Sequence, residues 1–190
     1  MNSFYTDSEL MELGIKSIGT NVCISRKASV YGGEQIELGN HVRIDDFCIL
    51  SGKIKLGNYI HISAYTALFA GDGGIVLEDY TTISSRCVIY ALSDDYSGKY
   101  MTNPTLPTQY RNVKREEVKI QKYAIIGSGC TILPGVTIAE GVAVGAMSLV
   151  NVGLDAWTIY AGIPCLKIKE RNRDLIQKAE DFENTSRKDI

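Results

Sequence analysis

Apolar residues recur along this chain at a spacing of six. In the stretch IQKYAIIGSGCTILPGVTIAEGVAVGAMSLVN (120–151), Ile120, Ile126, Ile132, Ile138, Val144 and Val150 fall six residues apart. Four residues after each of the first five come Ala124, Cys130, Val136, Val142 and Ser148, all small or β-branched. A period of six is neither the 3.6 of a helix nor the 2 of an ordinary strand. It is the pattern of a parallel β-helix, in which each six-residue unit makes one flat side and a corner. Three units complete a coil, so one aliphatic per side points inward and stacks on the coils above and below.

The same spacing organises the earlier chain. Ile18, Ile24 and Val30 open a first coil, and Leu38, Ile44 and Leu50 a second, after a two-residue slip placed at Ile36 and Glu37. Leu56, Ile62 and Leu68 follow. Three extra residues, Gly74 to Val76, then precede Leu77, Ile83 and Ile89. With the two coils of 120–151 this predicts about six coils in an all-β solenoid over 18–155, within a single domain spanning 1–190. Between Ala91 and Lys119 the repeat vanishes, which predicts a protruding loop over 92–119. Loops of that length in compact domains are commonly functional or disordered, and Tyr96, Tyr100, Met101 and Tyr110 argue that this one packs on something. Thr6 and Glu9 have capping-box spacing and Gly14 supplies a stop, predicting a short helix over 4–14 that covers the open first coil. After the Gly162–Pro164 turn, residues 166–183 read as an amphipathic helix with Leu175, Ile176, Ala179 and Phe182 on one face.

Composition narrows the functional classes. The formal net charge is −2, which gives no basic surface for nucleic acid. No apolar run approaches a transmembrane length, and the acidic start MNSFYTDSEL is not a secretory signal. The cysteines, Cys23, Cys48, Cys87, Cys130 and Cys165, are odd in number and dispersed. They read as free thiols in a reducing cytoplasm. Cys48, Cys87 and Cys130 take the small-residue position of the repeat, so core packing is expected of them.

Two motifs carry a resemblance: IGSGCTILPGVTIAEGVAVGAMSLV and, after it, AGIPCLKIKER. Together with the protruding loop they resemble the left-handed β-helix, hexapeptide-repeat acyltransferases, including bacterial sugar and galactoside O-acetyltransferases and sugar N-acetyltransferases. The resemblance covers roughly 18–171. It implies left-handed coils, a homotrimer, and acetyl-coenzyme A as co-substrate in a cleft between neighbouring solenoids. It implies transfer of an acetyl group to an amino or hydroxyl group of a sugar or sugar nucleotide, in bacterial surface-polysaccharide biosynthesis. Ser128 and Ala146 match the family's pantetheine-contacting positions, and Asn151 matches a further contact. Val152 stands where relatives often carry a phosphate-binding Lys. Lys167, Lys169 and Arg171 could neutralise the coenzyme's phosphates.

The chain departs from the family at the catalytic base. Relatives often place a histidine where the loop begins, and here that position falls at or beside Ser93, followed by Asp94 and Asp95. The histidines of the chain are His41 and His61. His41 reads as a surface turn residue. His61 matches an acceptor-site aromatic of the galactoside enzymes, with Tyr65 four residues on. The expected catalytic residues are therefore His61 and Asp94, with Ser93, Asp95 and Tyr65 binding substrate. A hydroxyl acceptor gains roughly 10²–10⁴-fold from a general base, whereas a neutral amine attacks a thioester unaided. The absent histidine thus leans toward an amine acceptor or toward a substitute base. Two histidines cannot supply the three ligands of a zinc carbonic anhydrase on this fold, and no metal is expected. The alternative is a non-catalytic solenoid scaffold, which would need neither the aromatic loop nor the basic segment.

Overall fold

The computed structural model describes residues 3–186. The chain winds into a left-handed parallel β-helix with three flat faces. The first face stacks Ser17–Ile18, Ile36–Leu38, the ends of Ile49–Leu56 and Ala67–Leu77, Val118–Ile120 and Thr137–Ile138. The second stacks Cys23–Ile24, Arg43–Ile44, His61–Ile62, Thr82–Ile83, Ile125–Ile126, Ala143–Val144 and Thr158–Gly162. The third stacks Ser29–Tyr31, the starts of Ile49–Leu56 and Ala67–Leu77, Val88–Tyr90, Thr131–Ile132 and Leu149–Val150.

The aliphatics of the six-residue pattern are in register throughout. On the second face Ile24 pairs with Ile44, then Ile62, Ile83, Ile126 and Val144, and their side chains are buried. Burying one such column per face, coil after coil, is the main source of stability in a solenoid.

The interruptions fall elsewhere than the spacing suggests. Ile36 and Glu37 pair with Ile54 and Lys55, and the extra residues before them form a turn of 3-10 helix, Gly33–Gln35. Ile75 and Val76 likewise pair normally, and the irregularity lies between Phe69 and Ile75. Ile36 and Ile75 are fully buried. Four first-face strands thus turn in a second aliphatic two residues before the repeat position, at Ile36, Ile54, Ile75 and Val118, and holding that residue inside displaces the slip toward the N-terminus.

At the corner between the first and second faces, Asn40, Asn58 and Asp79 accept from the N–H groups of Thr20, Asn40 and Asn58 on the coil before, at 2.8, 2.9 and 2.7 Å. Gly39 precedes Asn40 because a Cβ there would lie 2.5 Å from the Gly57 carbonyl oxygen. One step further on, an aromatic ladder runs up the same corner through His41, Tyr59, Tyr80 and Tyr123 to Trp157. His41 is thus the first rung of the ladder, its ring 4.5 Å from that of Tyr59.

The ends are closed as small solenoid edges must be. The N-terminal helix α1 (Asp7–Glu12) carries the Thr6/Glu9 capping box, buries Leu10, and is clamped by Arg26 on Glu9 at 2.6 and 2.8 Å. It is shorter than the expected 4–14. At the other end the expected helix over 166–183 is corrected. Cys165–Glu170 forms a strand antiparallel to Thr158–Gly162, and helix α2 spans Leu175–Ser186. The run Leu166-Lys167-Ile168-Lys169 alternates with period two, and as a strand it covers the last open edge of the second face. Helix α2 turns back along the aromatic ladder, with Phe182 edge-on to Tyr59 and Glu183 accepting from Tyr80 Oη at 2.8 Å. No helix among the described residues is long and apolar enough to cross a membrane.

The repeat resumes at Val118, so the insertion is shorter than 92–119. Leu92–Ser93 pairs antiparallel with Lys114–Arg115, which pinches the base of the insertion against the third face.

Candidate active site

The corner between the second and third faces carries only small residues on its last two coils, apart from the exposed Met147. It reads Gly127-Ser128-Gly129 and, one coil on, Gly145-Ala146-Met147. A Cβ on Gly127 would lie 2.6 Å from the Ala146 nitrogen, so the coils close up there only over glycine. Ser128 and Ala146 are exposed neighbours, linked by the Met147 N–H donating to the Ser128 carbonyl at 2.8 Å. The N–H groups of Ser128 and Ala146 themselves have no hydrogen-bond partner among the described residues. The corner therefore offers bare donors along an open edge, suited to the amides of an extended pantetheine arm.

Ser93, Asp94 and Asp95 come together where the insertion leaves the third face. Two clefts meet at Ser93, Asp94 and Tyr96. One, of about 420 Å³, is walled by Tyr90, Leu92, Leu133 and Pro134, with Thr131 beside them. The other, of about 520 Å³, takes in Asp95, Ser97, Asn112 and Lys114. Asp95 accepts from the Ser97 N–H at 2.6 Å and from Asn112 Nδ2 at 3.0 Å. Those bonds, Ser97 first, hold its carboxyl below the ordinary range. Asp95 thus braces the loop, while Asp94 stands at the junction of the two clefts.

His61 lies on the outer side of the second face, in a separate arrangement. Its Nε2 is 2.8 Å from Asp45, which also accepts from Arg43 Nε at 2.7 Å. Burial pushes the Asp45 carboxyl up, but the hydrogen bonds from Arg43 and His61 outweigh it and hold it low. Tyr65 is an exposed turn residue at the next corner, stacked on Phe47 at 4.9 Å with Arg86 over its other face. Within one chain the His61–Asp45 pair and the Asp94 junction belong to different faces.

The basic segment divides. Lys167 and Lys169 are exposed on the terminal strand, and Lys167 pairs with Glu170. Arg171 Nη1 donates to the carbonyls of Tyr123, Gly141 and Val142 at 2.9, 3.0 and 3.3 Å. That guanidinium pins the terminal hairpin to the solenoid, and burial lowers its pKa. Asn151 is exposed at the end of the third face, one coil beyond Leu133.

The sequence reading did not single out Asp45, Thr131, Leu133, Asn112 or Lys114. Asp45 was within reach, because it follows the strand residue Arg43 that pairs with His61. The cleft residues were not, because the fold of the insertion decides which of them meet.

No family model matches the chain. Among curated proteins it is 44% identical over 183 residues to the dTDP-4-amino-4,6-dideoxy-D-glucose acyltransferase of Escherichia coli, covering 95% of both chains. Among solved structures it is 51% identical to AntD, an N-acyltransferase from Bacillus cereus in complex with dTDP and 3-hydroxybutyryl-CoA. That match has a TM-score of 0.96 and covers 98% of this chain and 100% of the other. AntD has also been solved as D94A and D94N variants with dTDP and coenzyme A, and as S84A and S84C variants with dTDP-4-amino-4,6-dideoxyglucose and coenzyme A.

Proposed function

This chain belongs to the left-handed β-helix sugar acyltransferases, and from that membership we propose that it N-acylates a nucleotide-linked amino-deoxy sugar at Asp94. It is an enzyme that takes its acyl group from acyl-coenzyme A, so the scaffold alternative falls away. The acceptor we propose is a dTDP-linked 4-amino-4,6-dideoxyhexose, the ligand held by its relative of 51% identity. The observation that carries the amine assignment is the makeup of the cleft junction: Ser93, Asp94 and Tyr96 meet there, and neither cleft is lined by a histidine. His41 is committed to the aromatic ladder and His61 to Asp45.

The chemistry follows from this arrangement. The Asp94 carboxylate accepts a hydrogen bond from the acceptor amine and aims its lone pair at the thioester carbonyl carbon. The C–N bond forms, and the carbonyl electrons collect on oxygen, where backbone N–H donors of the site stabilise them. The intermediate collapses with loss of the C–S bond. The amine's proton leaves through Asp94 to the departing thiolate, giving an amide and free coenzyme A. Holding amine and thioester in contact is itself a large part of the acceleration.

We assign the pantetheine to Ser128 and Ala146, with Asn151, Lys167 and Lys169 toward its phosphates. Arg171 is assigned to the hairpin instead. Ser93, Asp95 and Tyr65 border the acceptor. Ser84 joins the candidates, since it lies on the corner column that leads to Gly127 and its relative was varied at that number. We further propose a homotrimer, with the coenzyme between neighbouring solenoids, working in the cytoplasm, where its thiols stay reduced.

His61 supports a second reading, because a histidine bonded to a carboxylate is the arrangement of a general base. That reading requires a hydroxyl acceptor. Assaying His61→Asn and Asp94→Asn on paired amino and hydroxy sugar nucleotides separates the two. The amine reading predicts a large loss for Asp94→Asn and activity near wild type for His61→Asn. A loss of roughly 10²-fold in kcat for His61→Asn, with Asp94→Asn unaffected, would replace it.

A further inference from the structure

An exposed cation at the corner between the second and third faces has no carboxylate. Arg26 pairs with Glu9 there and Lys27 with Asp46, but the Arg86 guanidinium makes no ion pair and no hydrogen bond among the described residues. It is held in place all the same. Arg86 lies over the Tyr65 ring at 5.9 Å, Tyr65 stacks on Phe47 at 4.9 Å, and Lys27 lies over Phe47 at 5.3 Å. Phe47, Tyr65 and Arg86 share one backbone conformation, with φ of 60°, 64° and 62°, so their side chains leave the corner alike on successive coils. A guanidinium seated on an aromatic ring keeps its fork of N–H donors for another partner, and that fork suits a phosphate.

Bare backbone donors run beside it. The N–H groups of Ala64 and Ser85 have no hydrogen-bond partner among the described residues, and they continue the unpaired column of Ser128 and Ala146 toward the N-terminus. Arg86 therefore stands at one end of the strip assigned above to pantetheine. Lys167 and Lys169 stand beyond the other end, on the hairpin whose Gly162 N–H donates to Ser148 Oγ at 3.0 Å. Both substrates of the reaction carry a diphosphate. With the coenzyme's phosphates at the lysine end, its thioester points toward Arg86, and the diphosphate left for that guanidinium is the acceptor's. The geometry points to Arg86 as the residue that anchors the diphosphate of the nucleotide-linked acceptor, with Tyr65 as its seat. The inference rests on the reading above, that the acceptor is a sugar nucleotide N-acylated at Asp94. Along the extended third-face strand, Arg86 and Asp94 of one chain are up to ~26 Å apart, beyond the reach from a diphosphate to an amine on its own sugar. An acceptor held by Arg86 thus offers its amine to Asp94 of a neighbouring copy.

The test is calorimetry of dTDP and of coenzyme A, each alone, on the full chain. Arg86→Ala should weaken dTDP binding by about 10-fold or more, the loss of a charge-assisted contact. Its coenzyme A affinity should stay within about threefold of wild type. Its melting temperature should not change, because the guanidinium has no polar partner in its own chain to lose. Arg86→Lys should recover only part of the dTDP affinity, since an ammonium lacks the fork. Tyr65→Ala should weaken dTDP binding as well, and Tyr65→Phe should not. In steady state Arg86→Ala should raise KM for a dTDP-linked amino sugar and leave kcat within about threefold. Unchanged dTDP affinity in Arg86→Ala, or a loss of coenzyme A affinity in its place, would overturn the inference while leaving N-acylation intact. A wild type that forms no amide from any dTDP-linked amino sugar would overturn it together with the reading beneath it.

Discussion

On four successive coils a buried hydroxyl or thiol at the corner between the second and third faces answers a carbonyl on the coil above. Thr66 Oγ1 donates to Ser84 O at 3.0 Å, Cys48 Sγ to Ser63 O at 3.2 Å, and Cys87 and Cys130 Sγ to Gly127 O and Gly145 O at 3.1 Å. The cysteines therefore do more than fill the small-residue position. They satisfy acceptors that burial would otherwise leave costly, and burial raises the Cys48 thiol pKa. Thr66→Val should cost about 1–3 kcal/mol, the penalty of an unsatisfied buried acceptor. Urea unfolding would show this as a lower midpoint at unchanged slope. Arg171→Ala should likewise lower the midpoint, since the guanidinium's bonds to three carbonyls are charge-assisted. Its coenzyme A affinity by calorimetry should stay within about threefold of wild type, and a tenfold loss would restore Arg171 to the phosphate site. From sequence, Arg171 resembled a phosphate ligand because it ends a basic run. The carbonyls that claim it lie about two coils away in sequence, at Tyr123, Gly141 and Val142.

Helix α1 is an element held by one ionic clamp. Arg26, and after it Thr6, holds the Glu9 carboxyl at about 2 against an ordinary 4.5. A depressed carboxylate contributes stability that is full above its unfolded value and lost as pH falls through the folded one. The melting temperature of wild type should exceed that of Glu9→Gln above pH 4.5, and the gap should close as pH falls toward 2. A gap independent of pH would mean that the carboxylate's charge is not what seats the helix. The cap of this helix was legible because Thr6 and Glu9 sit three apart in a pattern that works locally. The terminal strand was not. Leu166 and Ile168 look like the start of an amphipathic helix until the open edge of Thr158–Gly162 is known to need covering. The insertion was legible as an interruption, since the spacing of six stops after Ile89 and resumes only at Ile120. Its internal pairing, Leu92–Ser93 on Lys114–Arg115, carries no periodic signal.

At the scale of the whole molecule the coils wrote themselves into the sequence, because every face must present an aliphatic at the same step. Ile18, Leu38, Leu56, Leu77, Ile120 and Ile138 form one continuous column for that reason. Handedness carries no such mark and came from the family resemblance. The site was legible only in part. Asp94 stood out as an acidic residue opening the loop beside Ser93, where the histidine is missing, but the clefts on either side of it exist only once the insertion folds against Leu133 and Pro134. The proposed trimer should sediment as one species of three chains. The central claim, N-acylation at Asp94, is tested most directly by steady-state kinetics of Asp94→Asn beside wild type. The acceptor is a dTDP-linked 4-amino-4,6-dideoxyhexose, with the product identified by mass spectrometry. The account predicts an amide product from wild type, and in the variant a fall in kcat/KM of about 10²-fold or more with coenzyme A affinity unchanged. An Asp94→Asn enzyme as active as wild type, or an ester formed in preference to the amide, would contradict it.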